Sequence, residues 1–198
     1  MIDITLDRRD LIPALFPNPD EYLFITGLAG PAKDVCAHTG ESENVFAMGG
    51  AMGSAVTTAL GAALSAPNHR FICVTGDGEL MMAIGSLATV ASMGPANLSV
   101  ICIDNGCHGE TGGQWGHTSR YTDLGMMAEG AGIPKVMTIS SAGQMNEAKA
   151  FIEPGEGPRF LWGRVLNGPP SKVTRNWDLI QRRQIFKSGF EARQSQVE

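Results

Sequence analysis

Residues 71–106 read FICVTGDGELMMAIGSLATVASMGPANLSVICIDNG. Two short apolar runs, Phe71 to Thr75 and Leu98 to Ile103, enclose a longer stretch whose apolar residues have helical spacing. A strand, a helix and a second strand in this order form a βαβ unit with parallel strands. Glycine and polar residues directly follow both strands, at the end of a parallel sheet where ligands bind. The stretch therefore predicts a parallel sheet with a site at its carboxyl edge.

The same alternation continues along the chain. Four further apolar runs predict strands at Tyr22–Thr26, Val45–Met48, Val136–Ile139 and Phe160–Leu166. Candidate helices lie at about 31–38, 52–65, 79–93, 123–131, 141–152 and 176–188. In residues 1–25 the acids surround proline-rich turns. We therefore predict an α/β fold, a doubly wound and mostly parallel six-stranded sheet with helices on both faces.

Length and composition indicate one globular domain. The chain has 198 residues, of which 43% are hydrophobic and 18% charged, and this balance is typical of a packed core. We interpret residues 1–198 as a single domain without internal repeats or a low-complexity linker. From about residue 173 the sequence becomes polar and basic, which predicts a solvated terminal helix and tail.

Charge and targeting patterns exclude several classes of partner. The formal net charge is −5 and no basic run appears, so nucleic acid is not an expected partner. No apolar run approaches the ~18–20 residues that cross a bilayer, and the acidic N-terminus does not fit a signal peptide. The expected location is cytoplasmic, without membrane contact. Four cysteines without a C-x-x-C pair predict reduced thiols and no iron–sulfur or structural zinc site.

Asp77 and Asn105 predict a metal site. Asp77 stands between Gly76 and Gly78 after one strand, and Asn105 ends the next strand 28 residues later. A carboxylate, an amide oxygen and nearby backbone carbonyls are hard ligands, suited to an Mg²⁺ ion that also holds phosphate oxygens. The two glycines would let the backbone approach a diphosphate. The helix that begins near Glu79 would direct free N–H groups at it.

The GDG motif followed by Asn105 resembles the cofactor-binding signature of thiamine diphosphate enzymes. Gly50-Ala51-Met52-Gly53, GDGELMMAIGSLATVASMG and DNGCHGETGGQ look like the diphosphate-binding half of the phosphonopyruvate and sulfopyruvate decarboxylases, and the similarity extends from about Thr26 to Ile139. The resemblance implies thiamine diphosphate and Mg²⁺ as cofactors, with Asp77, Asn105 and the Cys107 carbonyl as metal ligands. It also implies non-oxidative cleavage of a small 2-oxo acid, which releases CO₂ and an aldehyde.

The same resemblance implies roles for residues around the metal. Met52 would lie under the bent cofactor, and the Gly50 carbonyl would accept a hydrogen bond from the cofactor's amino group. The other cofactor-binding residues that it implies are Thr26, Gly27, Gly76, Gly78, Glu79, His108 and Gly109. The loop residues that would face the substrate are His108, Glu110, Thr111, Gln114 and His117. Among these, catalytic roles are expected for His108, Glu110 and His117. Many relatives have a small residue where this chain has Glu79, so its role stays open.

One part of a complete site is absent from this sequence. Thiamine diphosphate enzymes use a glutamate on a separate pyrimidine-binding domain of similar size, and no segment here matches it. The resemblance therefore implies one subunit of a heteromer, a heterotetramer or larger, whose partner carries the pyrimidine-binding domain and the activating glutamate.

Several alternatives remain open from the sequence. They are a carboligase subunit of the acetolactate synthase type, a transketolase-like half, a 2-oxo acid oxidoreductase β subunit and a non-catalytic cofactor-binding regulatory subunit. The absence of clustered cysteines argues against the oxidoreductase, because that class passes electrons to iron–sulfur clusters.

Overall fold

Six parallel strands form the central sheet. A computed structural model describes residues 3–195. Its strands are β1 (Leu23–Thr26), β2 (Val45–Ala47), β3 (Phe71–Gly76), β4 (Leu98–Asp104), β5 (Cys107–His108), β6 (Gln114–Trp115), β7 (Lys135–Ile139) and β8 (Arg159–Arg164). The central sheet has the order β2-β1-β3-β4-β8-β7, and every neighbouring pair in it is parallel. Strands β5 and β6 form a separate antiparallel hairpin.

Helices cover both faces of this sheet. They are α1 (Arg8–Leu15), α2 (Ala29–Thr39), α3 (Ala55–Ser65), α4 (Asp77–Met82), α5 (Ser86–Met93), α6 (Leu124–Gly130), α7 (Met145–Phe151) and α8 (Leu179–Gln194). Helices α3, α5 and α6 contribute to one hydrophobic core, and α1, α2 and α7 contribute to a second core. The predicted doubly wound α/β fold is confirmed.

The strand order reverses between β1 and β3. The chain runs from β1 through α2 to β2 on one side, and from β3 through α4 and α5 to β4 on the other. A crevice therefore opens between the carboxyl ends of β1 and β3, where open α/β sheets bind ligands. The register pairs Gly76 with Ile103, so Asp77 and Asp104 follow at the same edge.

The N-terminal residues form a helix as well as turns. Asp7 caps α1 by accepting a hydrogen bond of 2.9 Å from the backbone N–H of Arg9. The side chains of Leu11 and Ile12 are completely buried in the second core. Pro13 lies inside the helix and removes one backbone donor from it. The expectation of turns alone is wrong, because the burial of this apolar stripe outweighs the effect of one proline.

Two predicted helices have different limits. The segment 79–93 is divided into α4 and α5, and the break lies at Ala83, whose φ of −138° is not helical. Gly53 has a φ of +86°, which a helix does not accommodate. Helix α3 therefore begins at Ala55 and leaves Met52 in the preceding loop. The second difference places Met52 in a loop beside the crevice.

The C-terminal segment packs against the edge of the sheet. Arg175 and Arg182 are only 7% and 4% exposed. The guanidinium of Arg182 donates to the carbonyls of Ser42 and Val45 at 2.9 and 2.8 Å. Strand β2 is an edge strand, and its unpaired carbonyls need donors. The expectation of a solvated helix and tail is therefore wrong for these two arginines, although α8 itself forms as predicted and extends to Gln194.

None of the helices within residues 3–195 is long and apolar enough to cross a bilayer.

All four cysteines are buried and free, as the absence of paired motifs predicts. Burial raises the pKa of the Cys36 thiol to about 11, so this thiol is not a nucleophile at neutral pH.

Candidate active site

A cavity of about 890 Å³ opens where the strand order reverses. Its walls come from the segments after β1, β2, β3 and β4, from Arg8, and from residues 167–177, which we call the C-terminal strap. Its volume is in the range of small-molecule and cofactor sites. The residues predicted from the sequence that line it are Gly50, Met52, Gly76, Asp77, Gly78, Glu79, Asn105, Cys107, His108, Gly109, Glu110 and Thr111.

Two buried carboxylates lie side by side at this edge but differ in their hydrogen bonds. Asp77 and Asp104 are 4% and 3% exposed. The Thr118 hydroxyl lies 2.7 Å from Asp104 Oδ1 and 3.5 Å from Asp77 Oδ2, so its single proton goes to Asp104. Asp104 also accepts from the Trp162 indole N–H and the Gly106 backbone N–H, both at 2.8 Å. Asp104 therefore accepts three hydrogen bonds, whereas Asp77 lines the cavity and accepts from the backbone N–H groups of Gly78 and of Asp77 itself, with Thr118 at a longer distance.

The electrostatics of Asp77 suit a cation. Burial, together with the neighbouring charge of Asp104, raises the pKa of Asp77 to about 7. A cation beside such a carboxylate stabilises its charged form. Within residues 3–195 there is no group of three or more His, Cys, Asp or Glu side chains that could hold a metal ion by themselves. Mg²⁺ needs no such cluster, because one or two carboxylates and phosphate oxygens hold it.

Asn105 and Cys107 line the same cavity as Asp77. The Asn105 amide donates to Asn167 Oδ1 at 3.3 Å, and its own Oδ1 lies 3.4 Å from the Cys107 backbone N–H. The Cys107 thiol is turned toward the Asn105 carbonyl at 3.5 Å. Burial also raises the pKa of this thiol. The amide and the backbone, and not the thiol, are therefore the groups suited to a hard metal ion.

Glu79 connects three segments of the cavity wall. Its buried carboxylate accepts hydrogen bonds from the backbone N–H groups of Leu28 at 3.0 Å and Gly53 at 3.3 Å. Gly27 has no side chain, and a Cβ there would overlap the Glu79 carboxylate. Glu79 thus holds the loops after β1 and β2 against the start of α4, which gives this unusual residue a role in shaping the cavity.

The loop after β4 folds over one side of the cavity. His108 lies against Gly78, because a Cβ on Gly78 would meet the imidazole at 2.8 Å. Glu110 forms an ion pair with Lys33 of α2 at 2.7 Å. These contacts connect the loop to both sides of the crevice, so His108 and Glu110 are close to any ligand bound there.

Four residues predicted from the sequence do not line the cavity. Thr26 is completely buried, and its hydroxyl donates to the Gly27 carbonyl at 3.1 Å. Gly27 precedes Leu28, which does line the wall. Gln114 and His117 are exposed on the far part of the loop. The structure therefore brings most of the predicted set together and leaves the end of the loop outside.

Three cationic side chains of the cavity were not predicted from the sequence. They are Arg8 of α1, Lys33 of α2 and Arg175 of the C-terminal strap. No local motif marks them, since each belongs to a segment that reads as an ordinary polar helix or tail. They reach the cavity only through the packing of α1, α2 and the strap around the sheet edge.

Residues 34–161 match the family described as thiamine pyrophosphate enzyme, C-terminal TPP binding domain. The chain belongs to this family. It is 34% identical over 134 residues to the sulfopyruvate decarboxylase subunit beta of Methanocaldococcus jannaschii, covering 67% of this chain and 70% of that protein. It is 42% identical over 116 residues to the phosphonopyruvate decarboxylase of Streptomyces viridochromogenes, covering 59% and 29%. The predicted resemblance is confirmed.

The fold also matches solved structures. The benzoylformate decarboxylase from Polynucleobacter necessarius superposes with a TM-score of 0.69 at 13% identity, over 86% of this chain and 35% of that chain. At this identity the likeness concerns the fold alone. The thiamine pyrophosphate-binding chain described here spans about a third of that longer enzyme.

Proposed function

We propose that this chain is the diphosphate- and Mg²⁺-binding subunit of a heteromeric thiamine diphosphate-dependent 2-oxo acid decarboxylase. The observation that carries the proposal is the buried carboxylate of Asp77, which lines a cavity of about 890 Å³ together with Asn105. Relatives in the family are decarboxylases of sulfopyruvate and phosphonopyruvate. The proposed reaction is a non-oxidative C–C cleavage that releases CO₂ and leaves an aldehyde.

The proposed metal ligands are the side chains of Asp77 and Asn105 and the backbone carbonyl of Cys107. Mg²⁺ at this position offsets the cost of an ionised carboxylate beside Asp104. Asn167 supports the assignment because it accepts a hydrogen bond from the Asn105 amide and orients it. The metal in turn holds the diphosphate oxygens in the cavity.

The proposed seat of the cofactor's rings is the loop after β2. Bound thiamine diphosphate supplies a sink for the electron pair that remains when CO₂ leaves. Met52 lines the cavity, and its apolar side chain would lie beneath the rings. Gly50 has a φ of +76°, a conformation that favours glycine, and its carbonyl is the proposed acceptor for the cofactor's amino group. Glu79, Thr26 and Gly27 support this loop from beneath.

The proposed substrate-facing residues are His108 and Glu110. Both line the cavity on the side of the loop after β4. Lys33 pairs with Glu110 and holds its carboxylate in place. His108 is the candidate to move a proton at the substrate, because an imidazole can act as a general acid or base and this one lies against Gly78 in the cavity wall. His117 is exposed outside this wall, so the proposal rests on the other two residues.

The proposed partner is a second chain with a pyrimidine-binding domain, whose glutamate activates the cofactor. The relative from Methanocaldococcus jannaschii is named as a beta subunit, which supports an assembly of more than one chain. Met52 and Trp177 line the cavity and are 46% and 63% exposed. Exposed apolar surface of this kind is suited to burial against another protein. The proposed assembly is a heterotetramer or larger.

Two measurements test the proposal. Calorimetry with Mg²⁺ and thiamine diphosphate should show saturable binding to wild type and at least a tenfold loss in Asp77→Ala, because the variant lacks the charged ligand. Asp10→Ala, which removes an exposed acid of α1, is the matched control. CO₂ release is then measured on the co-expressed pair with sulfopyruvate, phosphonopyruvate and pyruvate. Equal binding by Asp77→Ala would overturn the metal assignment, and an assembled pair that decarboxylates none of the three acids would overturn the activity.

A further inference from the structure

We propose that Arg8 binds the terminal phosphate of the cofactor's diphosphate. The inference rests on the proposed function and extends it to a residue outside the GDG and asparagine motifs. Arg8 lies at the start of α1, in a segment before the first strand of the sheet. It nevertheless lines the cavity and is only 5% exposed.

The guanidinium of Arg8 is oriented but not fully used. Its Nε donates to Asp34 Oδ2 at 2.9 Å, and its Nη2 lies 2.8 Å from the same oxygen. Among residues 3–195, Nη2 has no partner with hydrogen-bond geometry. Asp34 Oδ1 accepts from the Ser171 backbone N–H at 2.7 Å, so the carboxylate is fixed by the C-terminal strap. A guanidinium has five N–H donors in a rigid fork, and one edge held by Asp34 leaves the rest for an anion.

The first turn of α2 adds backbone donors at the same place. The Arg8 guanidinium lies directly against Gly30, because a Cβ on Gly30 would overlap it. The N–H groups of Ala29 and Gly30 have no acceptor within the helix, since they belong to its first turn. Ala29 and Gly30 both line the cavity. A buried guanidinium and a helix N-terminus therefore converge on one part of the wall.

The Arg8 guanidinium and the N-terminus of α2 lie close to the proposed metal site, which indicates a phosphate that the metal would also hold. Pro31, in the first turn of α2, packs on Gly76, where a Cβ would lie 3.4 Å from the proline Cγ. Gly76 immediately precedes Asp77, the proposed metal ligand. The donors of Arg8 and α2 thus border the metal end of the cavity, where the terminal phosphate of a diphosphate belongs.

Calorimetry on the co-expressed pair with Mg²⁺ tests the inference. The probes are thiamine diphosphate, inorganic pyrophosphate and thiamine monophosphate. Arg8→Met combined with Asp34→Asn removes the guanidinium without leaving a buried charge unpaired, and the amide oxygen at 34 still accepts from Ser171. Arg8→Lys keeps the positive charge but lacks the planar set of N–H donors of a guanidinium. The matched controls are Arg9→Met and Arg9→Lys, which make the same changes at an exposed arginine on the same turn.

The double variant should lose about 10- to 100-fold in affinity for thiamine diphosphate and pyrophosphate, the range of one charge-assisted hydrogen bond. Arg8→Lys should retain part of that affinity, and the controls should stay within about threefold of wild type. The affinity for pyrophosphate should also depend less steeply on salt in the double variant, which a purely structural role would not produce.

Three outcomes would overturn the inference. Equal affinity for diphosphate in wild type and the double variant would show that Arg8 does not bind the phosphate. The proposed function would still stand if Asp77→Ala loses binding in the same assay. An equal loss for thiamine monophosphate shows that the contact is not to the terminal phosphate. Absence of binding by wild type to both thiamine diphosphate and pyrophosphate overturns the proposed function together with this inference.

Discussion

Asp77→Asn is expected to stabilise the chain without cofactor at neutral and alkaline pH. Burial and the charge of Asp104 raise the pKa of Asp77 from 3.8 to about 7. The folded chain therefore keeps a proton that the unfolded chain releases near pH 4. Between these two values the folded state binds more protons, so the free energy of unfolding falls as the pH rises. Above about pH 7 both states are ionised and the cost is constant.

The size of the effect follows from the same interval. About three pH units at 1.4 kcal/mol per unit give an upper limit of roughly 4 kcal/mol. An amide in the same place keeps part of the cost of burying a polar group, so Asp77→Asn should gain about 1–3 kcal/mol above pH 7. Near pH 4 the gain should vanish.

Urea unfolding of both proteins at pH 5, 6, 7 and 8.5, without cofactor, measures the effect. Asp104→Asn is the control, because Asp104 is equally buried but accepts from Thr118, Trp162 and Gly106. It should lose about 1–3 kcal/mol, since an amide disturbs a satisfied network. With Mg²⁺ and thiamine diphosphate, wild type should gain stability and Asp77→Asn should not. A loss of stability in Asp77→Asn at pH 8.5 would refute the reasoning that the ionised Asp77 carboxylate destabilises the fold.

Three further predictions concern the surroundings of the cavity. Gly27→Ala should destabilise the chain by about 1–3 kcal/mol because its Cβ would overlap the Glu79 carboxylate, and combining it with Glu79→Ser should relieve this overlap. If the two losses in free energy of unfolding simply add in urea unfolding, the contact is contradicted. Arg182→Met should cost about 2–4 kcal/mol, because it leaves the carbonyls of Ser42 and Val45 without their donor and removes one of the two arginines beside Glu41. A loss below 1 kcal/mol would show that α8 is not docked there. In calorimetry, Met52→Gly should bind pyrophosphate as wild type does but thiamine diphosphate more weakly, whereas Met52→Leu should bind both as wild type does. If Met52→Gly binds thiamine diphosphate with wild-type affinity, Met52 does not lie beneath the rings.

The sequence by itself determined the sheet and the motif-bearing part of the cavity. Apolar runs alternating with helical patterns predict parallel strands, because each run must be buried on both faces. Glycine and polar residues after β3 and β4 then share one edge, as the Gly76 and Ile103 register requires. The candidate metal ligands Asp77 and Asn105 follow from these local patterns, since each needs only its own strand to be placed.

Only the tertiary structure decided the rest of the wall. Glu79 acquires its role by reaching Leu28, 51 positions away, and Arg8 is placed by Asp34, 26 positions away. Arg182 reads as part of a polar tail, yet it is buried because the edge of β2, 137 positions earlier, lacks donors. The roles of Glu79, Arg8 and Arg182 depend on which segments come into contact when the chain packs. These contacts are set by the burial of apolar side chains in both hydrophobic cores and not by any local sequence pattern.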